Sequence, residues 1–460
     1  MKFFTSISSI VLTLGLAPYA FATGNLAVVD SGTDVQHQDL ISKIWLNFDD
    51  STVNQVDDDK NGYIDDINGW NFAENNNILV DRKYIGTFSQ DCYKFFDVQG
   101  RLLLGIGTEE DKQWYTAKIN DQEFIKELNK FGNFTHGTHV SGIGIKQSEN
   151  VKVMGVKLIP TEQPGLSELR AKLEAEGTYD NNNDFLLLMI LQYSADNNIK
   201  LMKKIAQYVQ KEGMHVANCS FGSSEKMVRK LVRQQLESMG DTEITDERVN
   251  RIAKSFFTDM LLPRGKEAFG DPAPGVLWVY AAGNDGSNNS EFATFPANIR
   301  LENTITVAAA INYQALASFS NYSAELVDVA APGVVIRSTI PGNEYLSMSG
   351  TSQAAPFVSN IATQVKAINE RLSAAQVKDI ILKTVDKKDW LTGKVKSGGI
   401  VNRDRALEAA RMSRDVPLKV AITGSFQVVG SIEPMFKLPA DTIAQDVFVL
   451  PLPSPFGFEN

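Results

Sequence analysis

Cysteine and histidine are scarce in this chain of 460 residues. Cys92 and Cys219 are the only cysteines, too few for a disulfide-dense scaffold or a Cys-rich zinc or iron–sulfur site. His37, His136, His139 and His215 are the only histidines, so any imidazole chemistry has few carriers. Basic residues are in deficit, with 45 Lys and Arg against 55 Asp and Glu and a formal net charge of −10. With no Lys/Arg-rich run, that balance argues against a nucleic-acid partner. Neither GxGxxG nor a GxxxxGK phosphate loop occurs, which removes the common nucleotide fingerprints. Beyond the N-terminus no stretch approaches the ~18 apolar residues of a membrane span, so no stable membrane anchor is expected.

What is present is ordinary globular composition, 43% hydrophobic and 22% charged, enough to bury a sizeable core. The first 22 residues differ from the rest. Lys2 is followed by an uncharged, largely apolar run from Phe3 to Ala22 that ends in Ala20-Phe21-Ala22, the pattern of a cleavable export signal. Residues 1–22 are therefore read as a signal peptide, and the protein as secreted or periplasmic, with a mature charge of −11 once Lys2 is lost.

Short apolar runs alternate with helical patterns along the remainder. Leu26 to Asp30, Val151 to Ile159, His215 to Cys219, Val276 to Ala282, Thr304 to Ala309 and Leu326 to Ala330 read as strands. Asp196 to Gln210, Met227 to Met239, Arg248 to Leu262 and Ala354 to Glu370 read as helices. This alternation predicts an α/β fold, doubly wound, with a mainly parallel sheet and helices on both faces. Residues 23–415 form the expected main domain, with insertions near 73–131 and 223–270. A small C-terminal extension, 416–460, carries two β-like runs, Leu418 to Thr423 and Phe426 to Gly430, and a Pro-rich end.

Three segments carry candidate chemistry. They are Val-Val-Asp30-Ser-Gly-Thr, Asn133-Phe-Thr-His136-Gly-Thr-His139 and Ser349-Gly-Thr-Ser352-Gln-Ala-Ala-Pro356. A serine becomes a nucleophile only when a base takes its proton, and that base needs an orienting carboxylate. Gly350 and Ala354 leave room around Ser352, which opens a helix whose dipole favours developing negative charge. No histidine follows His215, so the order Ser, acid, His of the α/β-hydrolases is excluded and the order Asp, His, Ser remains.

In these three segments and their order the chain resembles the subtilisin family of serine peptidases, whose fold is the doubly wound one expected above. The resemblance implies that Asp30 orients and stabilises the imidazolium, His136 is general base and then acid, and Ser352 is the nucleophile. Asn284, in Ala281-Ala282-Gly283-Asn284, matches the family's oxyanion asparagine. Ser220, Phe221 and Gly222 match the strand that pairs with extended peptide, and Ala282 and Gly283 fall with them as substrate-binding residues. His37, His139 and His215 are read as structural, Cys219 as a buried thiol, and a Cys92–Cys219 bridge is left open.

The acidic run Asp57-Asp-Asp59-Lys-Asn61-Gly62-Tyr63-Ile-Asp65-Asp66 presents oxygens at alternate positions with glycine at the turn. Asp57, Asp59, Asn61, the Tyr63 carbonyl and Asp65 have calcium-loop spacing, although Asn68 stands where an EF-hand has glutamate. Many bacterial subtilases are similar here, through Gly69-Trp70-Asn71-Phe72, which supports a structural Ca²⁺. Asp39 matches a second calcium ligand of some members, but the partner loop after the His136 helix is short and that site is not expected.

The resemblance stops at a prodomain, usual in the family, since Asp30 follows the expected cleavage point by eight residues. The expectation is unaided folding, a separate folding or activation partner, or a start codon assigned too late. The reading is thus an exported serine endopeptidase acting on protein or peptide substrates through an acyl-enzyme. Its rivals are a silent peptide-binding scaffold and a transpeptidase or macrocyclase on the same triad.

Overall fold

The computed structural model describes residues 22–162, 183–439 and 447–456. The expected export signal thus lies, but for its last residue, outside the described residues.

One sheet organises the chain. Its strands run in the spatial order Asp386–Lys387, Gly399–Ile400, Val329–Pro332, Thr304–Ile311, Leu277–Ala281, Val216–Cys219, Gly24–Asp30, Val151–Lys157 and Gly69–Asn71. All these pairings are parallel except that of Asp386–Lys387 with Gly399–Ile400. The strand Gly24–Asp30 lies between Val151–Lys157 on one side and Val216–Cys219 on the other. From it the chain winds outward in both directions, so its carboxyl end is the topological switch point, where a doubly wound sheet leaves a crevice. Asp30 is the last residue of that strand.

Side-chain alternation along this strand divides the core. Leu26 and Val28 face one layer, with Val140 and Ile145 of the helix Gln122–Ile145 and Val358 and Ile361 of the helix Thr351–Ile368. Ala27 and Val29 face the other, with Ile199, Met202 and Val209 of the helix Asn183–Lys211. Each fully buried Val or Leu adds about 1.5–3 kcal/mol, and the continuous apolar runs are what a parallel sheet covered on both faces requires. The α/β expectation holds.

The helical insertion after residue 222 folds as Glu225–Ser238, Asp246–Ser255 and Leu262–Gly270, joined by a π-helical turn at Phe256–Leu261. It adds Leu231, Val249 and Phe256 to the layer of the Asn183–Lys211 helix. Residues 81–132 contain the 3₁₀ turn Arg82–Tyr84, two α-helices, Gln90–Leu103 and Glu109–Ile119, and the first turns of the His136 helix. Phe95 stacks on Tyr115 at 4.7 Å within this insertion.

The tail corrects the strand reading. Leu418 to Val428 is an α-helix, not two β-like runs. Ala421, Ile422 and Ser425 form one buried stripe at helical spacing, packed against the helix Arg403–Met412. Tertiary burial here overrides the β preference of Val and Ile.

Candidate active site

The carboxyl end of the first strand and the middle of the Gln122–Ile145 helix meet at one hydrogen bond. His136 Nδ1 lies 2.7 Å from Asp30 Oδ1, and the carboxylate is fully buried. The Ser31 N–H also donates to Asp30 Oδ1 at 2.7 Å, fixing the carboxylate from the backbone. Helix and strand approach so closely that a Cβ on Gly137 would stand 2.2 Å from the Gly32 carbonyl oxygen. Glycine after the histidine is therefore a packing requirement, and it brings imidazole to carboxylate.

Ser352 lies in the first turn of the helix Thr351–Ile368 and lines the same cavity as His136 and Asn284. Its hydroxyl donates to the Ser220 carbonyl at 3.1 Å, while Ser220 Oγ donates to the Ser352 carbonyl at 2.9 Å. The second bond has a local cause. The Ser352 carbonyl would ordinarily accept from the N–H four residues on, but that residue is Pro356, which has none. The segment after the strand Val216–Cys219 and the helix Thr351–Ile368 are thus joined by a reciprocal pair, with the Ser352 hydroxyl turned to Ser220.

Asn284 is held by its oxygen. Oδ1 accepts from the Thr351 N–H at 2.9 Å and from Thr351 Oγ1 at 2.8 Å, which turns Nδ2 toward the cleft. Gly283 has φ +118°, and a Cβ there would meet Asn321 Nδ2 at 2.3 Å, so only glycine fits this turn. The Thr351 N–H is thus taken up by Asn284 and the Gln353 N–H by the Gly350 carbonyl, while the Asn284 amide and Ser352 line the same cavity. Ala282, just past the strand Leu277–Ala281, and Phe221, just past the strand Val216–Cys219, are both fully buried.

The cleft also receives a segment that sequence patterning had left without a role. Asn284 Nδ2 donates to the Leu450 carbonyl at 2.9 Å, and the Gly222 N–H donates to the Pro453 carbonyl at 2.9 Å. The only signal in the sequence was a Pro-rich terminus, which does not say where it docks.

The acidic loop assembles differently from its spacing. Asp57 accepts from the N–H groups of Asn61 and Gly62, and Asp65 from those of Asn54 and Gln55, so both carboxylates stabilise turns. Asp59 and Asn61 face a different pair, Asp66 and Glu212. Asn61 Nδ2 donates to Asp59 at 3.1 Å, Asp66 at 3.0 Å and Glu212 at 3.3 Å. Asn47 Nδ2 also bonds Asp59 and Asp66, and Tyr208 donates to Asp66. The Tyr63 ring packs on Trp70, Phe72 and Tyr208. Burial raises the Asp66 carboxyl, and burial with the Asp66 charge pushes Glu212 up to about 7. Among the described residues no three His, Cys, Asp or Glu side chains stand grouped as a metal would hold them. The donors around Asn61 are nonetheless hard oxygens whose mutual repulsion a divalent cation would remove, so in chemistry they fit calcium.

The other histidines and cysteines have structural surroundings. His139 is fully buried, bonded to the Leu346 carbonyl, and pushed down to about 3 by burial. His37 bonds the Glu344 carbonyl, and His215 Nδ1 accepts from the Asn25 N–H. Asp39 accepts from the Tyr345 hydroxyl. Cys92 and Cys219 are free and buried, so the bridge left open in the sequence is not formed.

A family model described as the subtilase family matches residues 25–405, and the chain belongs to that family. Alkaline elastase YaB of Bacillus sp. (strain YaB) is 29% identical over 249 residues, covering 54% of this chain and 49% of that protein. The thermophilic serine proteinase of Bacillus sp. (strain AK1) is 46% identical over 114 residues, 25% of this chain and 26% of that protein. The chain spans about half the length of the first of these relatives. A crystal structure of a lanthipeptide protease is similar with a TM-score of 0.47 at 18% identity, covering 84% of this chain and 86% of that one. Among the described residues no helix is long and apolar enough to cross a membrane.

Proposed function

We propose that this chain is an exported serine endopeptidase that hydrolyses peptide bonds through an acyl-enzyme on Ser352. The observation that supports this best is the 2.7 Å contact of His136 Nδ1 with Asp30, beside a cavity lined by His136, Asn284 and Ser352. With Nδ1 held by the carboxylate, the other imidazole nitrogen is free to act as base. The Ser352 hydroxyl leaves the Ser220 carbonyl, gives its proton to His136, and its oxygen attacks the substrate carbonyl. Asn284 Nδ2 and the Ser352 N–H then donate to the oxyanion. His136 returns the proton to the departing amine, and water repeats the sequence to release the acid.

Calcium would supply charge that holds the acidic loop together, away from the chemistry. The carboxylates that would hold it are Asp59 and Asp66, with Glu212 adjoining, all three gathered on the Asn61 amide N–H groups. Export rests on residues 1–22, and the substrate class is protein or extended peptide.

A fluorophosphonate probe tests the catalytic reading directly. Labelling is expected in the purified chain and absent in Ser352→Ala, and equal labelling or equal peptide cleavage by the variant would overturn it. Ligation products in place of hydrolysis would assign the same triad to a transpeptidase.

A further inference from the structure

Residues 447–456, Val-Phe-Val-Leu-Pro-Leu-Pro-Ser-Pro-Phe, are seated along the whole length of the cleft. At one end the Phe448 carbonyl accepts from Gln99 Nε2 at 3.0 Å and from the Tyr115 hydroxyl, both in the insertion before His136. In the middle the Leu450 carbonyl takes the Asn284 amide, and three residues later the chain reaches Gly222, whose N–H bonds the Pro453 carbonyl. At the far end Ser454 Oγ lies 2.7 Å from Ser223 Oγ, and the Phe456 ring packs on Phe256 and Phe295. Val447, Val449, Leu452, Ser454 and Phe456 are all buried.

This segment uses the donors that a substrate needs. The Leu450 carbonyl takes up one Asn284 amide N–H in the cleft, and the Gly222 N–H cannot pair with substrate while it holds Pro453. The space left beside His136 and Ser352 is about 40 Å³, room for a few water molecules and not for a peptide. The segment is also suited to being held without being cut. Pro451, Pro453 and Pro455 restrict the chain to extended conformations before binding, which lowers the entropy lost on docking. The bond after the Leu450 carbonyl leads to Pro451, a ring nitrogen without N–H, and Ser352 Oγ is turned to Ser220.

We propose that residues 447–456 are a built-in competitive inhibitor, and that the cleft admits substrate only when this segment is released. The inference rests on the peptidase reading. A tethered segment meets its site at an effective concentration on the order of 1 mM. One that binds in trans with Kd near ~100 µM therefore keeps the cleft about tenfold more closed than open.

The test replaces residues 440–446 of the full chain with the recognition sequence of a specific protease, then cuts the folded protein and washes the freed segment away. Hydrolysis of fluorescein-labelled casein is expected to rise about tenfold on cutting, and synthetic 447–456 is expected to reverse the rise. Leu450→Asp in the uncut chain, which sets a carboxylate against the cleft wall at Gly132, is expected to give the same direction of change. Equal casein hydrolysis before and after release, confirmed by mass, overturns the inhibitor and leaves the peptidase. Absence of both hydrolysis and Ser352 labelling in the cut chain overturns the peptidase instead. Occupancy is read separately, without chemistry, from fluorescein-labelled 447–456 binding to Ser352→Ala. Binding about tenfold tighter after cutting supports the segment as the cleft's occupant, and equal binding overturns it.

Discussion

Ser220 and Ser352 exchange hydrogen bonds across the cleft floor, each hydroxyl donating to the other's backbone carbonyl, at 2.9 and 3.1 Å. One of these bonds fills the gap that Pro356 leaves in the helix Thr351–Ile368. The other keeps the Ser352 hydroxyl satisfied in the resting state. Ser220 and Ser352 therefore tie their two segments into one mechanical unit, although they stand 132 positions apart.

Removing the Ser220 hydroxyl tests that unit. Ser220→Ala leaves the buried Ser352 carbonyl without its side-chain donor, which costs about 1–3 kcal/mol. Ser220→Thr keeps the donor and should recover most of that loss. Urea unfolding of the three proteins measures it, and equal midpoints for wild type and Ser220→Ala would refute the role given to this pair.

Asn284 has two separable duties. Asn284→Asp keeps an acceptor for Thr351 but loses the amide donor, so kcat should fall about 10²–10³-fold with a modest change in Tm. Asn284→Ala loses donor and acceptor, so kcat should fall similarly and stability by a further 1 kcal/mol or so. Steady-state kinetics beside thermal melts separates the two, and an unimpaired kcat in Asn284→Asp would remove this residue from the oxyanion site.

Calcium is expected to stabilise the fold without entering the reaction. At about 100 Kd of free cation the gain is about 2.7 kcal/mol, so EGTA should lower Tm in the wild type. Asp59→Ala and Asp66→Ala should lower Tm and abolish the EGTA effect, whereas Asp65→Ala should preserve it. A melting temperature indifferent to EGTA would exclude the site, and an EGTA effect lost in Asp65→Ala but kept in Asp66→Ala would restore the donor set expected from spacing.

Acid should act through His215. Burial, with the Lys366 charge adding to it, pushes this imidazole down to about 4. A base with a depressed folded pKa favours the fold fully above its unfolded value of about 6.5 and loses that contribution as pH falls toward 4. Protonation also destroys the acceptor that Nδ1 offers to the Asn25 N–H. The stability difference between pH 7.5 and 4.5 should therefore shrink in His215→Asn by on the order of 2 kcal/mol, allowing for partial solvent access. Urea titrations at the two pH values check this, and an unaltered difference would clear His215 of any part in acid sensitivity.

Much of the site was legible because its chemistry is carried by short contiguous motifs. Asp30, His136, Asn284 and Ser352 each stand in a run whose small neighbours are needed for local packing, as Gly137 against Gly32 and Gly283 against Asn321 show. The acidic cluster was half legible. Alternate spacing identified Asp59 and Asn61, but the turns took Asp57 and Asp65 and a distant helix contributed Glu212. The helix Leu418–Val428 read as strand because its β-branched residues carry a weak local preference that packing on Arg403–Met412 overrides.

The amino-acid sequence by itself determined the winding of the sheet, through strand and helix periods, and the order Asp, His, Ser, through motifs that contain their own packing constraints. Only the tertiary structure decided what occupies the cleft, which oxygens surround Asn61, and where the Ser352 hydroxyl rests. Those contacts join residues 132 to 166 positions apart. No local periodicity records such a pairing, because it exists only once the parallel sheet has brought the strand ends to one crevice.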